Sequence, residues 1–258
     1  MNDRSASAGV PEPNRSTPAT SPAAGGPIVL VHGAWVGAWS WEPLLDRLDR
    51  SGRRIVAVSL RGAGDRRDEA SSAITLEDHV DDVVGVVESA DLHHVTLVGH
   101  SYGGRVITRA WARLAERIVR LVYLDAHAPL LDDGAFGVGS ADLPGACEGG
   151  MIPPFGGFDP DPADLGGDEA HARFVARCVD HPARALRAPF HVDLPADLPK
   201  TYVAATAERN RRFEPYARAA RGRPDWEFRE LPGSHWLMYT HPDEVADIVL
   251  DNSWSTDR

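Results

Sequence analysis

The stretch HHVTLVGHSYGG, residues 93–104, decides how the rest of the chain is interpreted. It opens with a short apolar run, which is typical of a buried strand. A G-x-S-x-G motif centred on Ser101 follows, and the helical pattern GGRVITRAWARL continues from it. A serine on a sharp turn from strand to helix stands above the end of the strand, at the positive end of the helix dipole. The order strand, turn and helix therefore predicts a nucleophile at Ser101 rather than a serine in a glycine-rich turn.

Strands and helices alternate on both sides of this motif. Further strands are predicted in PIVLVHG, RRIVAVSLRG, IVRLVYLDA, KTYVAATA and WEFREL. Helices are predicted in SWEPLLDRLDRSG, TLEDHVDDVVGVVESA, RFEPYARAARG and HPDEVADIVLDN. Because most of these strands are apolar on both faces, the pattern predicts an α/β fold with a mostly parallel sheet covered by helices on both sides.

The alternation breaks between residues 129 and 199, where the chain is rich in proline, glycine and aspartate. This segment is predicted to be a cap inserted between two parts of one core, residues 27–128 and 200–258. Residues 1–26 are rich in serine, proline, alanine and glycine, and they lack apolar periodicity. Such a composition does not bury enough apolar surface to order a chain, so it predicts a disordered tail.

Composition excludes several function classes. The net charge of −11 argues against nucleic acid as a partner, because binding phosphates requires clustered basic residues. No apolar run reaches eighteen residues and no apolar leader is seen, so a cytoplasmic protein without a membrane segment is expected. The two cysteines are too few for a disulfide framework, and no motif predicts a metal site.

A serine nucleophile needs a base and an acid that orients the base. His235, in LPGSHWLMYTHP, follows the last predicted strand and is the predicted base. Glu208 follows the strand KTYVAAT and is the preferred acid, with Asp125, at the end of LVYLDA, as the alternative. The alternative interpretations are an Asp125 that caps a turn and a Glu208 that begins the next helix with a favourable charge.

Acyl transfer also needs main-chain donors for an oxyanion. Gly33 turns the chain after the first strand, so the N–H of Ala34 is one predicted donor and that of Tyr102 is the other. His32 and His100 are interpreted as structural histidines. Aromatic residues predicted to line a substrate pocket are Trp35, Phe155 and Trp236, although Trp35, with Trp39 and Trp41, is equally compatible with packing.

The motifs VLVHGAWVGAWSWEPLLDRL, TLEDHVDDVVGVVE and VTLVGHSYGGRVI together resemble the α/β-hydrolase superfamily across residues 27–251. Within it they are similar to the plant methylesterases and hydroxynitrile lyases and their bacterial relatives. The resemblance implies a triad that needs no cofactor and a cap inserted after the strand that ends near Asp125. The lyases typically carry a threonine after the first histidine and a cap lysine, whereas Gly33 follows His32 here.

The leading hypothesis is a serine hydrolase that cleaves a small ester, lactone or thioester through an acyl-enzyme on Ser101. One alternative is a lyase or cyclase that uses the same triad as an acid–base pair. Another is a small-molecule receptor with slow or absent turnover. A small-molecule substrate is the expected partner, and a homodimer is possible.

Overall fold

The computed structural model describes residues 25–131, 150–154, 159–207 and 212–251. The strands are β1 (Ile28–Val31), β2 (Ile55–Val58), β3 (Val95–His100), β4 (Ile118–Leu124), β5 (Met151–Ile152), β6 (His181–Pro182), β7 (Lys200–Ala205) and β8 (Glu227–Leu231). Six of them form one sheet in the order β2-β1-β3-β4-β7-β8, and every neighbouring pair in it is parallel. All six correspond to strands predicted from the sequence.

The α-helices are α1 (Glu42–Leu48), α2 (Leu76–Ser89), α3 (Gly103–Leu114), α4 (Asp168–Arg177), α5 (Ala183–Arg187), α6 (Glu214–Arg221), α7 (Leu237–Thr240) and α8 (Pro242–Leu250). Short 3₁₀ helices span Ala38–Trp41, Asp49–Ser51, Gly64–Glu69 and Pro162–Leu165. Helices α2 and α3 cover one face of the sheet, and α1 and α8 cover the other. The prediction of a parallel sheet between two helical layers is confirmed.

Helix ends follow the local signals in the sequence. Thr75 caps α2 by accepting a hydrogen bond from the Asp78 N–H, and the Asp78 carboxylate accepts one from the Thr75 N–H in return. This capping box satisfies two main-chain donors that the first helical turn leaves unpaired. Pro242 lies in the first turn of α8, where its missing N–H costs nothing.

The strand order reverses direction at the centre of the sheet. The chain leaves β1 toward β2 and returns across β1 to form β3 on its other side. In a parallel sheet a crevice opens at the carboxyl ends of the strands where the order reverses. His32 and Gly33 follow β1 at this point, and Ser101 follows β3, so the fold brings the two predicted catalytic loops together.

Between β4 and β7 the described chain forms α4, α5 and a two-stranded antiparallel pair, β5 and β6, called here the cap hairpin. The Phe174 side chain of α4 is buried against Trp236 and Trp39 of the core. This region is where the inserted cap was predicted. At the other end of the chain, most of the predicted tail lies outside the described residues, but the Gly26 carbonyl accepts a 2.6 Å hydrogen bond from Arg53.

Candidate active site

Ser101 lies in a strained turn between β3 and α3. Its φ of 53° is in the left-handed region, which non-glycine residues rarely occupy and which costs of order 1–3 kcal/mol. A Cβ on Gly103 would lie 2.4 Å from the carbonyl oxygen of Val31, and a Cβ on Gly99 would lie 2.7 Å from that of Gly103. The two glycines therefore allow the helix to start directly against the strands, as the motif predicts.

The loop after β1 approaches the Ser101 side chain closely. A Cβ placed on Gly33 would lie 3.0 Å from the Cβ of Ser101. Ser101 is 8% exposed, and its hydroxyl forms no hydrogen bond with the residues that the structure describes. Hydrogen bonds of a catalytic serine are often long before substrate binds, so this state is compatible with a nucleophile.

His235 and Asp125 form the closest polar pair of the site. The His235 Nδ1 lies 2.6 Å from the Asp125 Oδ2, and both side chains are almost fully buried. The other Asp125 oxygen accepts a 3.3 Å hydrogen bond from the Ala205 N–H at the end of β7. The carboxylate is therefore fixed at both oxygens and faces the imidazole edge that a triad acid must occupy.

The sheet register places Asp125 beside Ser101. His100 pairs with Leu124, so the residues that follow each strand stand side by side at the carboxyl edge. The Ser101 N–H donates to the Leu124 carbonyl at 3.3 Å, and the Asp125 N–H donates to the Val203 carbonyl at 2.8 Å. Asp125 has a φ of 41°, which turns the chain away from the strand just after the register ends.

Among the described residues, the acid that contacts the His235 Nδ1 is thus Asp125, the alternative acid of the sequence analysis. Glu208 lies outside the described residues. The sequence favours Glu208 over Asp125 because the usual position for the acid in this fold follows the strand KTYVAAT, one strand further along the sheet. The geometry favours Asp125 because β4 ends directly beside β3, whereas β7 is one strand further away.

Two aromatic rings position His235. The His100 Nε2–H donates to the His235 carbonyl oxygen at 2.9 Å, and the two ring centroids are 4.5 Å apart. The Phe213 ring stacks parallel to the imidazole at 5.1 Å. His100, the residue before Ser101, therefore has a structural role, because it connects the turn that carries Ser101 to the predicted base. Phe213 was missed, because no motif or spacing in RFEPY links it to the site.

Burial changes the protonation of the pair. Desolvation, followed by the positive charge of Arg212, lowers the pKa of His235, so that its imidazole is uncharged at neutral pH. Desolvation raises the pKa of Asp125, and the Ala205 N–H partly opposes this rise. A neutral imidazole is the form that accepts a proton, so the electrostatics suit His235 as a general base.

The two predicted oxyanion donors are both buried and unused. Ala34 and Tyr102 are almost completely buried, yet the main-chain N–H of neither residue donates to an acceptor in the described part of the chain. Buried N–H groups without a partner are rare in folded proteins. Two such donors in the loops that flank Ser101 can therefore bind a developing oxyanion.

Buried histidines stabilise the loops that carry these donors. The His32 Nε2 accepts from the Leu60 N–H at 3.1 Å, so its Nδ1–H donates to the Gly33 carbonyl at 2.8 Å. His32 therefore holds the turn, as predicted. The His79 Nε2–H donates to the Arg61 carbonyl at 3.1 Å, which leaves its Nδ1 to accept the Tyr102 hydroxyl at 2.8 Å. His79 was missed, and its only sequence signal is a histidine on the buried face of an amphipathic helix.

The three predicted pocket aromatics have different positions. Trp35 is buried, and its indole N–H donates to the Ile152 carbonyl of the cap hairpin at 3.0 Å. Trp236 packs edge-on against Phe174 with ring centroids 4.9 Å apart. Phe155 lies outside the described residues. Both described tryptophans therefore connect the core to the cap.

Two features of the described residues bear on other functions. No described helix is long and apolar enough to cross a membrane. The described residues also contain no cluster of three or more histidine, cysteine, aspartate or glutamate side chains suited to a metal ion.

Comparison of the sequence with known proteins gives a consistent result. Residues 28–248 match the model of the alpha/beta hydrolase family. A carbendazim hydrolyzing esterase from Nocardioides sp. (strain SG-4G) is 33% identical over 233 residues, which cover 85% of this chain and 96% of the esterase. Salicylic acid-binding protein 2 from Nicotiana tabacum is 34% identical over 103 residues, which are 40% of each chain.

Solved structures agree with the sequence comparison. An extracellular alpha/beta-hydrolase from a Paenibacillus species has a TM-score of 0.69 and 26% identity, covering 86% of this chain and 96% of its own. Tomato methylketone synthase I shares the fold, with a TM-score of 0.70 at 22% identity over 90% of this chain and 99% of its own. The sheet, the strained serine turn and these matches together show that the chain belongs to the alpha/beta hydrolase family.

Proposed function

We propose that the protein hydrolyses a small carboxylic ester, lactone or thioester through an acyl-enzyme on Ser101. The observation that carries the proposal is the 2.6 Å contact between His235 and Asp125 at the strand end beside Ser101. A general base oriented by a buried carboxylate, next to a serine on a strand-to-helix turn, is the arrangement used for acyl transfer. In this proposal Asp125 takes the role that sequence reasoning assigned first to Glu208.

The reaction proceeds in two balanced halves. The Ser101 Oγ attacks the carbonyl carbon while His235 takes the hydroxyl proton, and the oxyanion binds the N–H groups of Ala34 and Tyr102. Collapse of the tetrahedral species breaks the bond to the leaving group, which receives the proton from His235. Water then attacks the acyl carbon by the same route, and the proton returns to Ser101 as the acid is released.

The esterase relative supports hydrolysis over the alternatives. It is matched over 96% of its length, and it is named for the hydrolysis of carbendazim. A lyase that depends on a lysine in its active site is disfavoured, because Lys200 is the only lysine in this chain. Its ammonium donates to the carbonyls of Pro195 and Leu198 at the amino end of β7. Five residue steps along β7, about 17 Å at 3.3 Å per residue, separate that end from the site.

A fluorophosphonate probe and a panel of p-nitrophenyl esters test the proposal. We expect the probe to label Ser101 and the short-chain esters to be hydrolysed. Ser101→Ala should remove labelling and lower kcat by about 10⁴-fold or more. Ser89→Ala, at an exposed serine at the end of α2, is the matched control and should behave like the wild type. A folded wild type that neither labels nor turns over any ester would favour the receptor alternative and contradict the proposal.

A further inference from the structure

Trp35 adopts a conformation that its side chain does not favour. Its φ of 68° lies in the left-handed region, where a bulky aromatic residue is an outlier. The residue follows Ala34 directly, so any change in its backbone angles must be absorbed by the short segment that carries the Ala34 N–H. Glycine would occupy this position without strain. The tryptophan must therefore be held there by contacts that its side chain and its own backbone make.

Those contacts come from both sides of the cap hairpin. The Trp35 indole N–H donates to the Ile152 carbonyl in β5, across 117 positions of sequence. The Trp35 carbonyl accepts a 2.9 Å hydrogen bond from the N–H of Val179, two residues before β6. Ile152 pairs with His181 in the hairpin, so the two segments that bind Trp35 are neighbours in the cap. Trp35 is therefore held by hydrogen bonds from both of them.

The cap also has an anchor that does not involve Trp35. Phe174 is buried between Trp236 and Trp39, with ring centroids 4.9 Å and 5.0 Å apart. The Arg177 guanidinium lies 4.4 Å over the Trp39 ring and pairs with Glu42 of α1. We therefore expect the cap to stay attached when one hydrogen bond at Trp35 is lost, with the main effect in the loop that contains Ala34.

We propose that Trp35 is a positioning residue through which the cap hairpin holds the Ala34 N–H in place for the oxyanion. This inference rests on the proposed hydrolase function. With the hairpin seated, the two hydrogen bonds stabilise the strained backbone. Without either bond, the loop relaxes toward an unstrained φ and the Ala34 N–H turns from the oxyanion position. An oxyanion forms only during the reaction, so loss of this donor should destabilise the transition state and leave the substrate-free protein unaffected.

Two variants remove the two bonds independently. Trp35→Phe keeps an aromatic ring but has no indole N–H. Val179→Pro removes the main-chain donor to Trp35 and leaves the tryptophan intact. Cys178, the residue before it, has a φ of −69° and a ψ of 152°, a conformation that a following proline allows. Trp226→Phe, at the amino end of β8 and far from Ser101, is the control for the loss of an indole.

The assay measures kcat per active site, with active sites counted by complete fluorophosphonate labelling. We expect both variants to lower kcat for a p-nitrophenyl ester at least tenfold, with KM changed less than threefold. Affinity for a boronic acid, which forms a tetrahedral adduct on serine, should fall in proportion to kcat/KM. Trp226→Phe should change neither kcat nor the affinity for the boronic acid by more than twofold.

A purely structural role gives a different result. It would lower the melting temperature and the labelled fraction, and leave kcat per labelled site and boronic acid affinity unchanged. That outcome in both variants overturns the inference about Trp35 while the hydrolase function stands. A wild type that neither labels nor hydrolyses esters overturns the proposed function, and the inference with it.

Discussion

The identity of the acid can be decided by Asp125→Asn. The Ala205 N–H donates to one carboxylate oxygen of Asp125, so an asparagine there is expected to keep its carbonyl oxygen at Ala205. Its amide NH₂ group then faces the His235 Nδ1, where the carboxylate oxygen lies at 2.6 Å in the native protein. An amide donor makes Nδ1 an acceptor and moves the imidazole proton to Nε2, so His235 is no longer able to take the Ser101 proton.

The expected loss of activity comes from the wrong tautomer of His235. A misdirected tautomer in a serine triad costs about 10⁴-fold in kcat, which is about 5 kcal/mol at 1.36 kcal/mol per decade. Stability should not fall in parallel. Burial raises the pKa of Asp125, which means that the folded protein disfavours the charged carboxylate, and a neutral amide relieves that cost. We therefore expect a melting temperature equal to or above that of the wild type.

The measurement is kcat for a p-nitrophenyl ester between pH 7 and 8, together with thermal melts. Asp247→Asn, at an exposed position on α8, controls for the loss of one negative charge. Glu208→Gln is made in parallel and should retain at least a tenth of the wild-type kcat. If Glu208→Gln loses far more activity than Asp125→Asn in folded protein, the assignment of Asp125 is refuted.

Three further predictions follow from buried groups. Gly103→Ala places a Cβ 2.4 Å from the Val31 carbonyl and should lower kcat at least a hundredfold, whereas Gly85→Ala, with open space on α2, should raise stability by about 1 kcal/mol in urea titrations. Lys200→Met leaves the carbonyl acceptors of the ammonium group unpaired and should lower the free energy of unfolding by about 2–4 kcal/mol. The variant should keep kcat within twofold of the wild type. A tenfold loss of kcat would contradict a purely structural role for Lys200. Burial lowers the pKa of His79 to about 4, so the unfolded chain binds this proton near pH 6.5 before the folded chain does. The contribution of His79 to the free energy of unfolding is complete above about pH 6.5 and falls by up to about 3 kcal/mol toward pH 4. His79→Phe should therefore reduce the dependence of the unfolding free energy on pH.

The sequence by itself determined the six strands of the sheet, the position of Ser101 and the beginnings of α2 and α8. These features depend on signals a few residues long. Six short runs, most of them apolar, predict six strands, Thr75 and Asp78 begin α2, and Pro242 begins α8. The turn at Ser101 needs glycine where the start of the helix contacts neighbouring backbone, and the G-x-S-x-G motif supplies glycine at both of these positions. The predicted base His235 also followed from its place in the order of elements.

The contact between Asp125 and His235, the packing around His235 and the link to the cap were decided only by the tertiary structure. Asp125 and His235 are 110 positions apart, and their contact depends on β4 ending beside β3 in register with Ser101. Phe213 stacks on the imidazole and Trp35 binds the cap hairpin without any local pattern that would reveal either contact. Local patterns report the preferences of a few neighbouring residues. Which buried side chains meet across strands and loops depends on strand register and close packing of the whole fold.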